Sequence, residues 1–429
     1  MKSIKKESKS LLMAGSIILV IFLLSFCAGK EGRVSEESLE KKAWEIHKKI
    51  LTVDTHSDTA MMLLRGNWDP AERHDPALPG SGKIDLPRMK EGGLDAEFFA
   101  AFVNQGPKTD SGYAQAKERA EALIQAVKNM VQDNNNLIGL ATSPEDAYRL
   151  KEQGKLIAFL GIENGYAIGR DLSLIKDFYN QGVRYITLCH SSDNDICDSS
   201  TDRSDPEDRG LSEFGQQVVE ECNRVGMIVD ISHASDRSFY QVLEASQAPV
   251  IASHSCARAV CDNPRNLSDE MIKALAAKGG VIQICFLSSY VKTPKPNPER
   301  DQALKELRSK YGNWRRIQDE ELRRKVMEEM QEINQKYPVE LATVQDLVDH
   351  IDHVVELVGV DYVGIGTDFD GGGGVQGCND VSEMINVTVE LLRRGYSETD
   401  IEKIWGKNFF RVFNQVEEVA QKLNESWGI

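Results

Sequence analysis

Eight short apolar runs recur along this chain, and most of them end in a residue able to hold a metal ion or move a proton. LTVDTHSD starts at Leu51, AEFFAAFV at Ala96, KLIAFLGIENG at Lys155 and RYITLCHSS at Arg184; MIVDISH follows at Met227, PVIASHS at Pro249, VIQICF at Val281 and YVGIGTDFDG at Tyr362. Between them lie amphipathic stretches with helix-end signals. Ser268, Asp269 and Glu270 precede Ile272 and Leu275, and Gly279 closes that segment; Asp380 with Glu383 opens another, which Gly395 closes. Parallel strands need crossover connections, so eight strand-then-helix units predict an α/β fold, a (β/α)8 barrel of the TIM type. The charged stretch from about Pro294 to Pro338 falls between the seventh strand and its helix. It predicts a helical insertion on the rim where the strands end.

Composition sets the surroundings of that barrel. With 41% hydrophobic and 28% charged residues, the 429-residue chain has enough apolar mass for one large core. Of the net charge of -16, the first 26 residues contribute +3 (four lysines against Glu7), leaving -19 on the body. Such an acidic body excludes nucleic acid as a partner. The Lys-rich start, the apolar run from Leu11 to Phe26 and Cys27 predict a targeting segment over residues 1–27, followed by a flexible tether over 28–42 and the barrel over 43–429. LSFC at Leu24 to Cys27 resembles a bacterial lipoprotein signal, with Cys27 the lipidated residue; uncleaved, the same segment would serve as a signal anchor. Either route predicts export to the bacterial cell envelope, with the membrane as a partner through the N-terminus. A homodimer is one assembly the sequence leaves open. Seven of the eight cysteines remain after Cys27, and this odd number argues against a complete disulfide framework, although Cys256 and Cys261 could pair.

The chemistry lies at the strand ends, which a barrel brings to one mouth. His56 and Asp58 are two apart, so on an extended strand they share a face and can grip one ion. Glu163 ends its run and could bridge two metals through its two oxygens; His233, His254 and Asp368 end three more. Taken singly, each is more often a satisfied polar side chain than a ligand. Six in phase with the strands are hard to obtain from solvated loops.

DTHSD, GIENG, VDISH, IASHS and GIGTDFDG, in this order, resemble the membrane (renal) dipeptidase family, a branch of the amidohydrolase-like barrels, over nearly all of Trp44 to Val416. The resemblance implies two Zn2+ ions, with His56 and Asp58 on one, His233 and His254 on the other, and Glu163 between them. It implies His190 and Asp368 as catalytic residues, with Arg265 and Tyr290, alongside His190, contacting a dipeptide substrate. Two metals about 3.5 to 4 Å apart can hold a bridging hydroxide for attack on the scissile carbonyl. Asp368 would relay its proton to the leaving amine, and His190 would steady the oxyanion.

Other histidines and glycines do not fit this pattern. His350 and His353 form an HxxH, but the core stripe of Leu347, Ile351, Val354 and Val358 predicts a solvated outer helix, with His350 on its flank. His47 and His74 lie away from the strand ends. Gly371 to Gly374 lack the Lys-Ser/Thr of a phosphate loop and read as a flexible rim. Two competing functions are a barrel amidohydrolase acting on cyclic amides or N-acyl groups, and a non-catalytic surface lipoprotein that binds metal or peptide. The first usually begins with HxH rather than HxD. The second would not require Asp368 and His190.

Overall fold

The computed structural model describes residues 35–427 apart from 67, 79, 205–206 and 313–318. Cys27, the targeting segment and residues 28–34 of the tether lie outside the described residues, and the rest of the tether from Glu36 is helical. Among the described residues, no helix is long and apolar enough to cross a membrane. The chain divides into two compact units between Lys42 and Ala43, and the barrel belongs to the second.

Eight parallel strands form the barrel: β1 (Val53–Ser57), β2 (Ala96–Phe102), β4 (Leu156–Glu163), β5 (Val183–Thr187), β6 (Ile228–Asp230), β7 (Ile251–Ser255), β8 (Val281–Ile284) and β9 (Val363–Ile365). The ring closes where Ser57 bridges Phe369, with Asp58 N–H donating to Phe369 O at 2.8 Å and Asp368 N–H donating to His56 O at 3.0 Å. These closing bonds sit beside three of the strand-end residues singled out above. The longest register runs from Ala96 opposite Ile157 to Phe102 opposite Glu163. A ninth strand, β3 (Ile138–Leu140), pairs with β4 off the ring; its three residues carry no readable periodicity.

Helix ends follow the side chains. Ser268 accepts from Met271 N–H, and Thr343 forms a capping box with Asp346 to open Val344–Val358. Phe98, Phe159 and Tyr185 pack with Phe409 and Phe413 of the last helix, Asn408–Trp427, in a buried cluster. Tyr185 links this cluster to the site, because its ring stacks on Phe98 while its hydroxyl lies 2.8 Å from His56 Nδ1. Only glycine fits at 161, where a Cβ would stand 2.2 Å from the Tyr185 ring. The insertion after β8 contains two helices, Pro298–Tyr311 and Glu320–Lys336, tied by Lys310–Glu329 at 2.6 Å and by Arg300 to Asn334 and the Tyr337 carbonyl.

Three histidines outside the mouth are structural. His350 is fully buried rather than flanking a solvated face. Its Nδ1 accepts from Ala257 N–H and its Nε2 donates to Val291 O, so it satisfies backbone groups on loops that a helical wheel cannot show. His353 is paired with Asp269 at 2.7 Å. His47 bonds Gly93 O and Thr388 Oγ1, and burial lowers its pKa to about 4. The Gly371–Gly374 loop is held rather than loose: three of its N–H groups donate to Asp368 O and the fourth to Phe286 O. All seven cysteines after Cys27, Cys256 and Cys261 among them, are buried free thiols.

Candidate metal centre and substrate mouth

Glu163, at the last position of β4, is surrounded by imidazoles. His56 Nε2 lies 3.6 Å from its Oε2, while His233, His254 and His190 Nε2 lie 3.1, 3.5 and 3.7 Å from its Oε1. Two triads share it: His56, Glu163 and His254, and Glu163, His190 and His233, each with ligand atoms within 4.8 Å of one another. Side-chain proximity thus groups His254 with His56, their rings 3.8 Å apart, although His233 Nε2 also lies 2.9 Å from His254 Nε2. All but His190 are buried, and His190, 26% exposed at its side chain, borders the opening.

The charges in this cluster are frustrated without a cation. Burial alone would raise Glu163, but His56 and His190 outweigh it and hold the carboxyl well below its usual range. Burial also opposes a charge on His56, yet Glu163 pulls it up to about 9. Burial, aided by Glu163, raises Asp58 well above a normal carboxyl. Burial keeps His233 and His254 neutral, their pKa values well below the usual imidazole range. His56 Nε2, Asp58 Oδ1 and His233 Nδ1 have no hydrogen-bond partner. Buried lone-pair donors of nitrogen and oxygen type, left unpaired around a shared carboxylate, fit divalent cations.

Asp368 sits against this cluster with φ 60°, in the left-handed region. A Cβ on Gly371 would meet both Asp368 Oδ1 at 2.0 Å and Asp58 Oδ2 at 2.8 Å, so the two carboxylates flank the same glycine. Burial raises the Asp368 pKa to about 7, against the pull of His56. That value suits proton transfer near neutrality. Arg265 is 3% exposed, its Nη2 donating to His254 O at 3.1 Å and its guanidinium 5.4 Å from the Tyr290 ring centre. Its Nε has no partner, and among the described residues no carboxylate pairs with it. A buried cation without a counter-ion invites an anionic ligand.

Tyr185, which partners His56, and Asp54, which accepts from His56 N–H and from Thr367, are not among the residues the sequence predicts for the site. Both lie inside apolar strands where core packing was the simpler reading. The signal available for Asp54 was an acid at the same offset in VDTH and VDIS.

Known proteins agree with this architecture. The membrane dipeptidase profile (peptidase family M19) matches residues 40–427. Dipeptidase tcpJ of Claviceps purpurea (strain 20.1) is 32% identical over 378 residues, covering 86% of this chain and 77% of the relative. Dipeptidase 3 of Rattus norvegicus is 30% identical, covering 90% and 70%. The structure of the probable dipeptidase PvdM from Pseudomonas aeruginosa is 33% identical with a TM-score of 0.75, covering 90% of this chain and all of that one. A metallopeptidase from Rhodobacter sphaeroides, liganded with a phosphinate mimic of the dipeptide L-Ala-D-Ala, is 25% identical with a TM-score of 0.67, covering 86% and 99%. The chain is a peptide-bond hydrolase and belongs to the membrane dipeptidase family, peptidase family M19.

Proposed function

We propose that the protein is a zinc dipeptidase that recognises the free C-terminal carboxylate of its substrate. The observation that carries this reading is the buried, unpaired guanidinium of Arg265 bonded to the backbone of His254, within the same cluster as the Glu163 centre. His56 and Asp58 would hold one zinc, His233 and His254 the other, with Glu163 touching both. Such a pair supplies an activated water nucleophile and polarises the carbonyl. Asp368 would hold the proton at its carboxyl and pass it to the leaving amine. His190 would donate to the developing oxyanion, and Tyr290 would line the substrate beside Arg265. The bound dipeptide mimic of the Rhodobacter relative supports a two-residue substrate. A panel of dipeptides, N-acetyl amino acids and cyclic amides, assayed with metal content, tests the reading. Hydrolysis of dipeptides by protein holding about two zinc ions is expected; turnover of only the acyl or cyclic amides would replace it.

Metal binding should be pH-dependent in a stated direction. Without metal, His56 keeps its proton up to about pH 9, so below that pH a cation must displace it. His233 and His254, already neutral, add no such competition. Apparent zinc affinity is expected to fall on the order of 100-fold for this one proton between pH 8 and pH 6. Chelator competition at the two values checks it, and a flat affinity would remove His56 from the ligand set.

Export of the body to the cell envelope is also proposed, on the Lys-rich and apolar start and Cys27. Cys27→Ser is expected to release the protein from the membrane fraction or leave an uncleaved precursor. A mutant still carrying lipid label would sink the lipoprotein reading.

A further inference from the structure

The side chain of Asp230, a buried aspartate at the end of β6, hydrogen-bonds Thr187, Ser232 and Ser253, none of them proposed to hold metal or substrate. Its Oδ1 accepts from the N–H groups of Ser232 at 3.0 Å and Ser253 at 2.8 Å. Its Oδ2 accepts from the hydroxyls of Thr187 at 2.5 Å and Ser253 at 2.7 Å. Ser253 Oγ then lies 2.8 Å from His254 Nδ1. A serine hydroxyl has one proton, and here it is committed to the carboxylate. The bond to the imidazole must therefore run the other way, with His254 Nδ1–H donating to Ser253 Oγ. That fixes the neutral ring in one tautomer and leaves the Nε2 lone pair facing Glu163 and His233.

The same device recurs at β1. Asp54 accepts from His56 N–H at 3.2 Å, from Thr367 N–H at 2.8 Å and from Thr367 Oγ1 at 2.5 Å, and Thr367 Oγ1 in turn accepts from Phe369 N–H at 3.1 Å. In both copies a strand aspartate accepts from the N–H two residues further on and grips the hydroxyl residue that precedes a site residue: Thr367 before Asp368, Ser253 before His254. Recurrence at two places in one barrel argues against incidental satisfaction of a buried polar group.

We propose that Asp230 is a positioning residue that acts through Ser253 to hold His254 in the Nδ1–H tautomer, keeping Nε2 free for a metal ion. The proposal rests on the reading of His254 as a ligand. It assigns a direction to the hydrogen-bond chain, and so predicts an order of effects that packing alone does not. In Asp230→Asn the amide oxygen serves the two backbone N–H groups, so the NH2 must face Ser253 and Thr187. Ser253 then accepts from the amide and turns its own proton to His254 Nδ1, which drives the ring proton onto Nε2 and blocks it. Ser253→Ala only removes the relay and leaves the lone pair available. Thr187→Val removes one bond to Asp230 and leaves the relay whole.

The measurement is zinc affinity by chelator competition on full-length protein, with folding followed by circular dichroism. Asp230→Asn is expected to lose about 10- to 100-fold, Ser253→Ala clearly less, and Thr187→Val little. Wild-type affinity in Asp230→Asn, or losses in Ser253→Ala or Thr187→Val as large as in Asp230→Asn, would overturn the proposal. If Asp230→Asn does not fold, nitrogen-15 histidine spectra of the metal-free wild type decide it: Nδ1–H at His254 is expected, and Nε2–H overturns it. The tautomer is read without zinc or turnover. A wild type showing Nδ1–H but binding no zinc would therefore defeat the zinc reading and leave only the tautomer assignment standing.

Discussion

Glu163→Gln is expected to reduce dipeptide hydrolysis by on the order of 10³-fold or more, about 4 kcal/mol or more in the barrier, and to lower the metal bound per chain. The substitution changes almost nothing in shape, so its effect isolates the charge. Glu163 lies within 3.7 Å of four imidazoles, and its negative charge raises His56 while the histidines hold its own carboxyl ionised. A neutral amide would face the same imidazoles with an NH2 group where a lone pair is needed. In the proposed two-zinc site the ions would repel one another, and a carboxylate shared between them would offset that repulsion. Loss of the charge should therefore weaken both sites together rather than one. Metal analysis of the purified variant, beside its rate on one dipeptide, checks this. A variant that retains two tightly bound ions and a near-normal rate would rule out the shared role of Glu163.

The strands were legible because each is short, buried on both faces and set in a mostly apolar run; a polar residue at the end of that run stands out against the background. His56, Glu163, His233 and His254 were readable in this way, as were the caps at Ser268 and Asp380. β3 was not, since three residues pairing with β4 off the ring carry neither length nor period. His350 defeated a helical wheel because its burial comes from the loops carrying Ala257 and Val291, which a wheel leaves out. The grouping of the imidazoles was also beyond the sequence. A strand-end position says that a side chain reaches the mouth, whereas which neighbour it meets depends on barrel stagger and rotamer. The aspartates at 54 and 230 show the opposite case: the repeated offset was visible, but its meaning required the partner strands, β9 and β7, that only the fold supplies.

Arg265→Ala is expected to slow hydrolysis of free dipeptides by about 30-fold or more, while amidating the substrate's C-terminus should cost the wild-type enzyme a similar factor. Arg265 reaches the mouth on the loop after β7 and donates from Nη2 to the carbonyl of His254 at 3.1 Å and from Nη1 to Ser255 Oγ at 3.5 Å, leaving Nε without a partner. A planar fork held in this way can grip a carboxylate through two parallel bonds, and lysine, with a point charge on a flexible stem, cannot reproduce that geometry. Arg265→Lys should therefore fall close to Arg265→Ala. The ring of Tyr290 covers one side of the guanidinium, which limits water there and strengthens a charged contact. Losing one partner of a desolvated charge pair costs on the order of 2 to 5 kcal/mol, which sets the lower bound on the rate effect. A fixed separation between this fork and the Glu163 centre would also explain selectivity for two-residue substrates, because only the peptide bond adjoining the free carboxylate is then within reach. The decisive comparison is a cycle of enzyme and substrate changes measured as kcat/KM. If the arginine clamps the carboxylate, the loss on amidated dipeptide should nearly vanish in Arg265→Ala. Equal slowing of free and amidated dipeptides by the mutation would assign Arg265 to holding His254 and its loop instead.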